Sequence, residues 1–110
     1  MIELTGAQRR WLRSRAQTMK PTVRLGGEGV TETARAEVLA ALDRTELLKV
    51  RLHAGRDRKA DAAMLAEATG SALAGLVGRV ALLYRPSPAG PLLELPSAGD
   101  DAPDDPVTDA

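Results

Sequence analysis

The chain has 110 residues, enough for one domain with a modest hydrophobic core. It contains no cysteine, which excludes disulfides and thiolate metal sites and is compatible with an intracellular location. No apolar run approaches the roughly 20 residues of a membrane-spanning helix. The N-terminus also lacks the basic and apolar regions of a signal peptide, so we expect a cytoplasmic protein with no membrane segment.

The formal net charge of zero conceals two segments of opposite charge. Residues 1–85 carry all 15 basic side chains against nine acidic ones, a net charge of +6, and the remaining segment carries six acidic side chains. A basic body with an acidic tail favours a polyanionic partner. The alternative is an ordinary charged surface with a solubilising tail.

The first predicted helix starts at Thr5, since Thr5 and Gln8 have the spacing of a capping box. Pro21 ends it, because the residue before a proline favours extended geometry. Trp11 is expected to pack in the core rather than to stack on a base, because it belongs to a stripe of apolar residues at helical spacing. The stripe contains Leu4, Ala7, Trp11, Leu12, Ala16 and Met19.

The most informative stretch is the glycine-rich loop Leu25-Gly26-Gly27-Glu28-Gly29-Val30. A short strand over residues 22–25 precedes it, and a helix with Thr31 as its N-cap follows and runs to about Arg44. Glycines let the backbone turn sharply and approach a ligand. A helix N-terminus adds free N–H groups and a positive dipole end, so this position suits a phosphate held by the N–H groups of residues 27–31.

The clearest strand covers residues 47–52, where apolar residues alternate with Lys49 and Arg51. Since one helix separates it from the first strand, we predict parallel neighbours with a right-handed crossover. Asp57 is the predicted N-cap of a third helix from about Arg58 to Thr69, and Gly70 its C-terminal glycine. The residues predicted to face inward are Met64, Leu65 and Ala68. Three cations cluster around the start of this helix, which is compatible with an anionic partner: Arg56, Arg58 and Lys59.

Two strands, Leu73 to Val77 and Val80 to Tyr84, are predicted to form a hairpin around Gly78-Arg79. A second G-x-x-G pattern at residues 75–78 has apolar central residues, and we interpret it as structural. The order α-β-α-β-α-β-β predicts a compact α/β domain with a four-stranded mixed sheet packed by helices.

The predicted domain covers residues 1–86. Residues 87–110 form a Pro-rich and then acidic tail, which we expect to be largely disordered because of its composition. Within it, residues 92–95 are a candidate short edge segment.

Five motifs occur in order along the chain: Lys20-Pro21, the loop from Leu25 to Thr31, Glu46 to Val50, Thr69-Gly70, and the closing segment Val77 to Pro86. In these motifs the chain resembles the YhbY-like CRM domain family, named for chloroplast RNA splicing and ribosome maturation, from about Leu4 to Pro86. The resemblance implies a fold similar to the C-terminal domain of bacterial translation initiation factor 3. It also implies RNA binding, with stand-alone members associated with precursors of the large ribosomal subunit.

The family's G-x-x-G loop falls on Gly26 and Gly29 and is likened to the loop by which KH domains clamp an RNA backbone. One departure is Glu28 in the centre of the loop, since a carboxylate beside a phosphate is unfavourable. The RNA-binding residues that the resemblance and the loop together predict are Lys20, Arg24, Gly26, Gly27, Gly29, Thr31, Lys49, Arg51, Arg79 and Arg85.

These observations and the resemblance together predict a monomeric, cytoplasmic RNA-binding protein that uses no cofactor. The resemblance implies that its target is large-subunit precursor rRNA and that it acts in ribosome assembly. Aromatic residues make up only 2% of the chain, which argues against recognition by base stacking and for structured RNA with little sequence preference. A protein-binding adaptor, whose basic face meets an acidic partner, is the alternative. We do not expect an enzyme, because His53 is the only histidine and neither nucleotide-binding glycine motif is present.

Overall fold

The computed structural model describes residues 3–87, 93 and 95. The elements are α1 (Gly6–Ala16), β1 (Val23–Arg24), α2 (Glu32–Thr45), β2 (Leu47–Arg51), α3 (Arg58–Thr69), β3 (Ala72–Val77) and β4 (Val80–Tyr84). Their strands form a four-stranded sheet in the order β1-β2-β4-β3, with β1 parallel to β2 and the other neighbours antiparallel. The predicted compact α/β fold with a mixed sheet is therefore confirmed.

Local sequence signals explain where the helices begin. The Thr5 side chain accepts a hydrogen bond from the Gln8 N–H at 3.1 Å, and the Gln8 side chain accepts one from the Thr5 N–H at 3.0 Å. Thr31 caps α2 by accepting from the Ala34 N–H at 3.1 Å, and Asp57 caps α3 in the same way. Each cap satisfies an N–H group that the first helical turn leaves unpaired. The three predicted helix starts are confirmed.

The helices cover the two faces of the sheet and bury a core on each. The larger core lies under α2 and α3 and includes Leu48 and Val50 of β2, whereas the smaller one lies under α1 and includes Leu47. Because strand residues alternate between faces, Lys49 and Arg51 lie on the same face as Leu47. This α1 face is incompletely covered, since Lys49 is half-buried and Arg51 is exposed.

The prediction that Met64 faces inward is wrong, because 52% of this residue is exposed. The buried face of α3 runs through Ala62, Leu65 and Thr69, which recur at spacings of three and four. Met64 lies one position, about 100°, away from Leu65 around the helix and therefore points to solvent. The half-buried Trp11 packs against the α1 core as predicted, with the Arg15 guanidinium 5.4 Å from its ring centroid.

The described residues that follow β4 return to the domain. Glu46, which caps α2 in a left-handed conformation (φ 64°), is fully buried. Its carboxylate accepts hydrogen bonds from the Ser87 N–H at 2.8 Å and the Leu93 N–H at 3.0 Å. Leu93 and Leu95 pack against the α1 core. A buried carboxylate thus connects the end of α2 to residues beyond the predicted domain boundary.

Two sequence-based predictions fall on residues that the structure does not describe. The candidate edge segment 92–95 is described only at Leu93 and Leu95. Of the tail predicted to be largely disordered, residues 87–110, the structure describes only Ser87, Leu93 and Leu95.

Candidate functional site

Three loops meet at the end of the sheet where the parallel strands β1 and β2 finish. We call this region the loop edge. Because β1 and β2 are parallel neighbours, the loops that follow them leave the sheet on the same side. The β3–β4 turn also lies there, since Arg51 is paired with Val80 and the Leu52 N–H donates to the Arg79 carbonyl at 2.7 Å. The loop edge therefore contains the G-x-x-G loop (residues 26–29), residues 52–57 and the turn at residues 78–79.

The G-x-x-G loop is a tight turn closed by one backbone hydrogen bond. The Gly29 N–H donates to the Gly26 carbonyl at 3.0 Å, so it is occupied within the turn. The φ of Gly29 is 74°, in the left-handed region that favours glycine. Four further N–H groups form no hydrogen bond to any described residue and lie beside the N-terminus of α2: those of Gly27, Glu28, Val30 and Thr31.

Arg56, which lies in the neighbouring loop, forms a hydrogen bond to this turn. Its Nη1 donates to the Gly27 carbonyl at 3.3 Å, while its Nε and Nη2 donate to the buried Asp61 carboxylate at 2.8 and 3.2 Å. The hydrogen bond and charge of Asp61 raise the pKa of Arg56, so the guanidinium stays charged. A Cβ at Gly29 would lie 2.5 Å from the Arg56 Cζ. Gly29 is therefore required both for its conformation and for the space that Arg56 occupies.

The exposed His53 lies beside the same loop. Its Nδ1 accepts a hydrogen bond from the Gly55 N–H at 3.2 Å, and a Cβ at Gly27 would lie 3.8 Å from its ring. Gly26, by contrast, has no neighbouring atom within 4 Å of the position a Cβ would take. The outer side of the turn is thus open to a partner at Gly26 and flanked by an imidazole at Gly27.

Four predicted cations form the basic surface, which we define as Lys20, Arg24, Lys49 and Arg51. Arg24 and Arg51 are register partners on neighbouring strands, about 4.8 Å apart across the sheet, and both are exposed. Lys49 lies two residues earlier on the same face of β2, and its Nζ donates to the Met19 carbonyl at 3.0 Å. The exposed Lys20 follows Met19 directly.

The remaining predicted residues divide into two groups. Thr31 and the exposed Arg79 lie at the loop edge, although the Thr31 hydroxyl oxygen is used as the N-cap of α2. Arg85 follows the other end of β4, where Tyr84 is paired with Leu47, and forms an ion pair with Asp43. The structure therefore does not bring Arg85 together with the other predicted residues.

Carboxylates distinguish the two sides of the loop. On the side that faces α2, a concavity of about 390 Å³ includes both Glu28 and Glu37, and Arg24 is its one cation among the described residues. A phosphate held there by the loop N–H groups would be repelled by these two carboxylates, whereas neither Arg51 nor Lys49 forms an ion pair with a described carboxylate. The basic surface is thus the better approach for an anionic ligand.

The site predicted from the sequence omits Arg56. The clustering of Arg56 with Arg58 and Lys59 was a signal, but it does not indicate which loop Arg56 contacts. The contact with Gly27 follows only when β1 and β2 are placed as parallel neighbours, because their succeeding loops then share one edge.

In the part of the chain that the structure describes, no three His, Asp or Glu side chains are grouped so that they could hold a metal ion. None of the helices in that part combines the length and apolar character needed to span a membrane.

Comparison with known proteins supports the resemblance seen in the sequence, since the model of the CRS1/YhbY (CRM) domain family matches residues 4–85. A Haemophilus influenzae protein named "RNA-binding protein" is 37% identical over 90 residues, which are 79% of this chain and 90% of that protein. The Bacillus subtilis "Probable RNA-binding protein YqeI" is 33% identical over 95 residues, which are 84% of this chain and 99% of that protein. The solution structure of Staphylococcus aureus SAV1595 is 35% identical, with a TM-score of 0.76 over 86% of this chain and 100% of that chain. The chain therefore belongs to the CRS1/YhbY (CRM) domain family.

Proposed function

We propose that this protein binds RNA and acts in ribosome assembly by contacting large-subunit precursor rRNA. The observation that carries the proposal is the junction of the G-x-x-G loop with the exposed Arg24–Arg51 pair at one edge of the sheet. The names of the Haemophilus and Bacillus relatives support RNA as the polyanion. The basic charge of residues 1–85 fits the same partner.

In this proposal, recognition depends on the RNA backbone. The unoccupied N–H groups of the loop and the dipole of α2 hold one phosphate, and Arg24, Lys49 and Arg51 neutralise the phosphates that follow. Arg56 contributes by positioning the loop. Because phosphate contacts carry no sequence information, this mode selects the shape of a structured RNA rather than a base sequence.

The proposed activity is binding, so it assigns no catalytic step and no cofactor. We propose that the protein acts in the cytoplasm as a monomer. Its role in assembly would then be to hold a segment of precursor rRNA in a folded conformation.

Charge reversal tests the proposed surface. We expect Arg24→Glu and Arg51→Glu each to weaken binding to a structured rRNA fragment about tenfold near 150 mM salt, and to reduce the slope of log K against log salt by about 1. Arg44→Glu is the matched control, since Arg44 is an exposed cation near the end of α2 away from the loop edge. Equal effects of all three variants would contradict the assigned surface.

A second experiment tests the identity of the RNA. RNA crosslinked to the protein in cells should consist mainly of large-subunit precursor rRNA, and crosslinks spread over unrelated transcripts would contradict the role in assembly. Recovery of the protein with and without ribonuclease addresses the adaptor alternative. A protein partner that remains bound after ribonuclease treatment, with no RNA crosslinked, would favour the adaptor.

A further inference from the structure

A groove on the α1 face of the sheet lies beside the basic surface. Its volume is about 450 Å³, within the 300–1,000 Å³ range typical of sites for small ligands. It is therefore large enough for a ligand of nucleotide size. Residues from α1 and from three strands line it, chiefly Arg13, Gln17, Lys49, Gly75, Val77 and Val80.

One cross-strand row connects this groove to the loop edge. Arg24 is paired with Arg51, Arg51 with Val80, and Val80 with Val77. Register partners share a face, so the row crosses the sheet over three interstrand spacings, about 14 Å. It is basic at the end next to the G-x-x-G loop and apolar at the hairpin, where Val77 is 70% exposed. A strand of RNA leaving the loop along this row would pass from the two arginines to Val80 and Val77, which form the apolar floor of the groove.

Gly75 shapes the groove. The register of β3 against β4 shifts between Leu73 and Gly75, which places the glycine opposite α1. A Cβ at Gly75 would lie 2.9 Å from the Arg13 Cδ. The missing side chain lets Arg13 lie across the strand, where its Nη1 donates to the Ala74 carbonyl at 3.3 Å. A glycine inside a strand often marks such a close approach.

The charges around the groove favour an anionic ligand. Arg13 and Lys49 each donate to a backbone carbonyl, which fixes their direction without neutralising their charge. Within residues 3–87 neither of them forms an ion pair, and no carboxylate lines the groove. The groove thus combines two oriented cations with an apolar floor, which complements a phosphate joined to a flat apolar group.

We propose that the groove holds one unpaired nucleotide of the RNA whose backbone lies on the loop edge; this inference rests on the proposed function. Val77 and Val80 would contact the face of the base, and Arg13 and Lys49 its phosphate. In an A-form duplex, stacking covers the faces of the bases, so a paired nucleotide does not fit this role. The protein would consequently prefer a helix that carries an unpaired extension over a fully paired helix.

Methyl NMR on the full chain tests this placement with two synthetic hairpin RNAs, one fully paired and one with three unpaired nucleotides at its end. The extended RNA should shift the methyl signals of Val77 and Val80 and give NOEs from them to base protons. The paired RNA should shift the amides of the G-x-x-G loop and of the basic surface but leave the two valine methyls unchanged. The methyl of Met64, an exposed side chain on α3, is the internal control and should not respond to either RNA.

The double variant Val77→Thr/Val80→Thr keeps charge and β-branching but makes the floor polar. Its affinity for the extended RNA should fall about threefold to tenfold, and its affinity for the paired RNA less than about twofold. Loop amides that shift without the valine methyls would overturn the groove alone, whereas no shift at either place would overturn the proposed function as well. Methyl shifts that depend on protein concentration without RNA would indicate a second copy in the groove and would overturn the proposal.

Discussion

The guanidinium of Arg56 occupies the space that a side chain at Gly29 would need. These residues belong to different loops, and they meet because β1 and β2 are parallel neighbours. The Asp61 carboxylate accepts two hydrogen bonds from the Arg56 guanidinium, and the Gly27 carbonyl accepts a third. The conformation of the G-x-x-G loop therefore depends on a contact made outside the loop.

Replacement of Gly29 tests whether the loop needs a glycine at this position in particular or only glycines in general. Gly29→Ala should lower the free energy of unfolding by about 1–3 kcal/mol, because alanine is strained in the left-handed region. Gly26→Ala is the matched control: Gly26 has no positive φ and no atom within 4 Å of the added Cβ, so a change below about 0.5 kcal/mol is expected. Denaturant unfolding measures both, and equal stability of the two variants would contradict the argument.

Removal of the Arg56 side chain should loosen the loop. In Arg56→Gln, we expect the Gly29 amide to exchange with solvent about threefold to tenfold faster, because the turn loses its support at Gly27. Arg58→Gln removes the same charge from the start of α3 and should leave this exchange rate unchanged. Hydrogen exchange followed by NMR compares the variants, and an unchanged rate in Arg56→Gln would show that the turn is stable alone.

Glu28 should oppose RNA binding through its charge. Glu28→Gln removes an exposed carboxylate next to the proposed phosphate site and should raise affinity about twofold to fivefold at low salt, with a smaller gain as salt screens the repulsion. Glu67→Gln, a change of the same charge near the end of α3, should have no such effect. Weaker binding by Glu28→Gln would instead mean that this carboxylate contacts the RNA directly.

Tyr84 should make the protein sensitive to alkaline pH. Burial, and then the charge of Glu46, raise the pKa of Tyr84 above the value of 10.0 typical of an unperturbed tyrosine. Above about pH 10 the unfolded chain loses this proton more readily than the folded chain, so stability should fall as pH rises towards the folded pKa. Below pH 10 the contribution is fully present.

Tyr84 is the only tyrosine, so ultraviolet absorbance reports its ionisation directly. Tyr84→Phe should remove the fall in stability above pH 10 that Tyr84 causes. Glu46→Gln should lower the Tyr84 pKa, because it removes the nearby negative charge. Titration of folded Tyr84 at its ordinary pKa would contradict the prediction.

Much of the fold could be predicted because it depends on local signals. Thr5, Thr31 and Asp57 cap the helices where the sequence pattern indicates, and the alternation around Lys49 identifies β2 and its two faces. The parallel pairing of β1 with β2 follows from the length of the intervening helix. In each case, the decisive residues lie within a few positions of the element that they define.

The site was less accessible to prediction because it depends on contacts between distant segments. Arg56 contacts Gly27, which lies 29 positions away in the sequence, and Arg85 contacts Asp43, which lies 42 positions away. Met64 fails for a different reason, since several positions of an alanine-rich helix can face inward and packing alone selects among them. The shift of register at Gly75 likewise has no marker beyond the glycine itself.

The carboxylate of Glu46 has a consequence for where the folded unit ends. The family match stops at residue 85, yet two donors to this buried group come from Ser87 and Leu93. A polypeptide cut at Arg85 would leave a desolvated negative charge with fewer hydrogen bonds, which commonly costs a few kcal/mol. The backbone groups that satisfy Glu46 therefore extend past the matched residues, to Ser87 and Leu93.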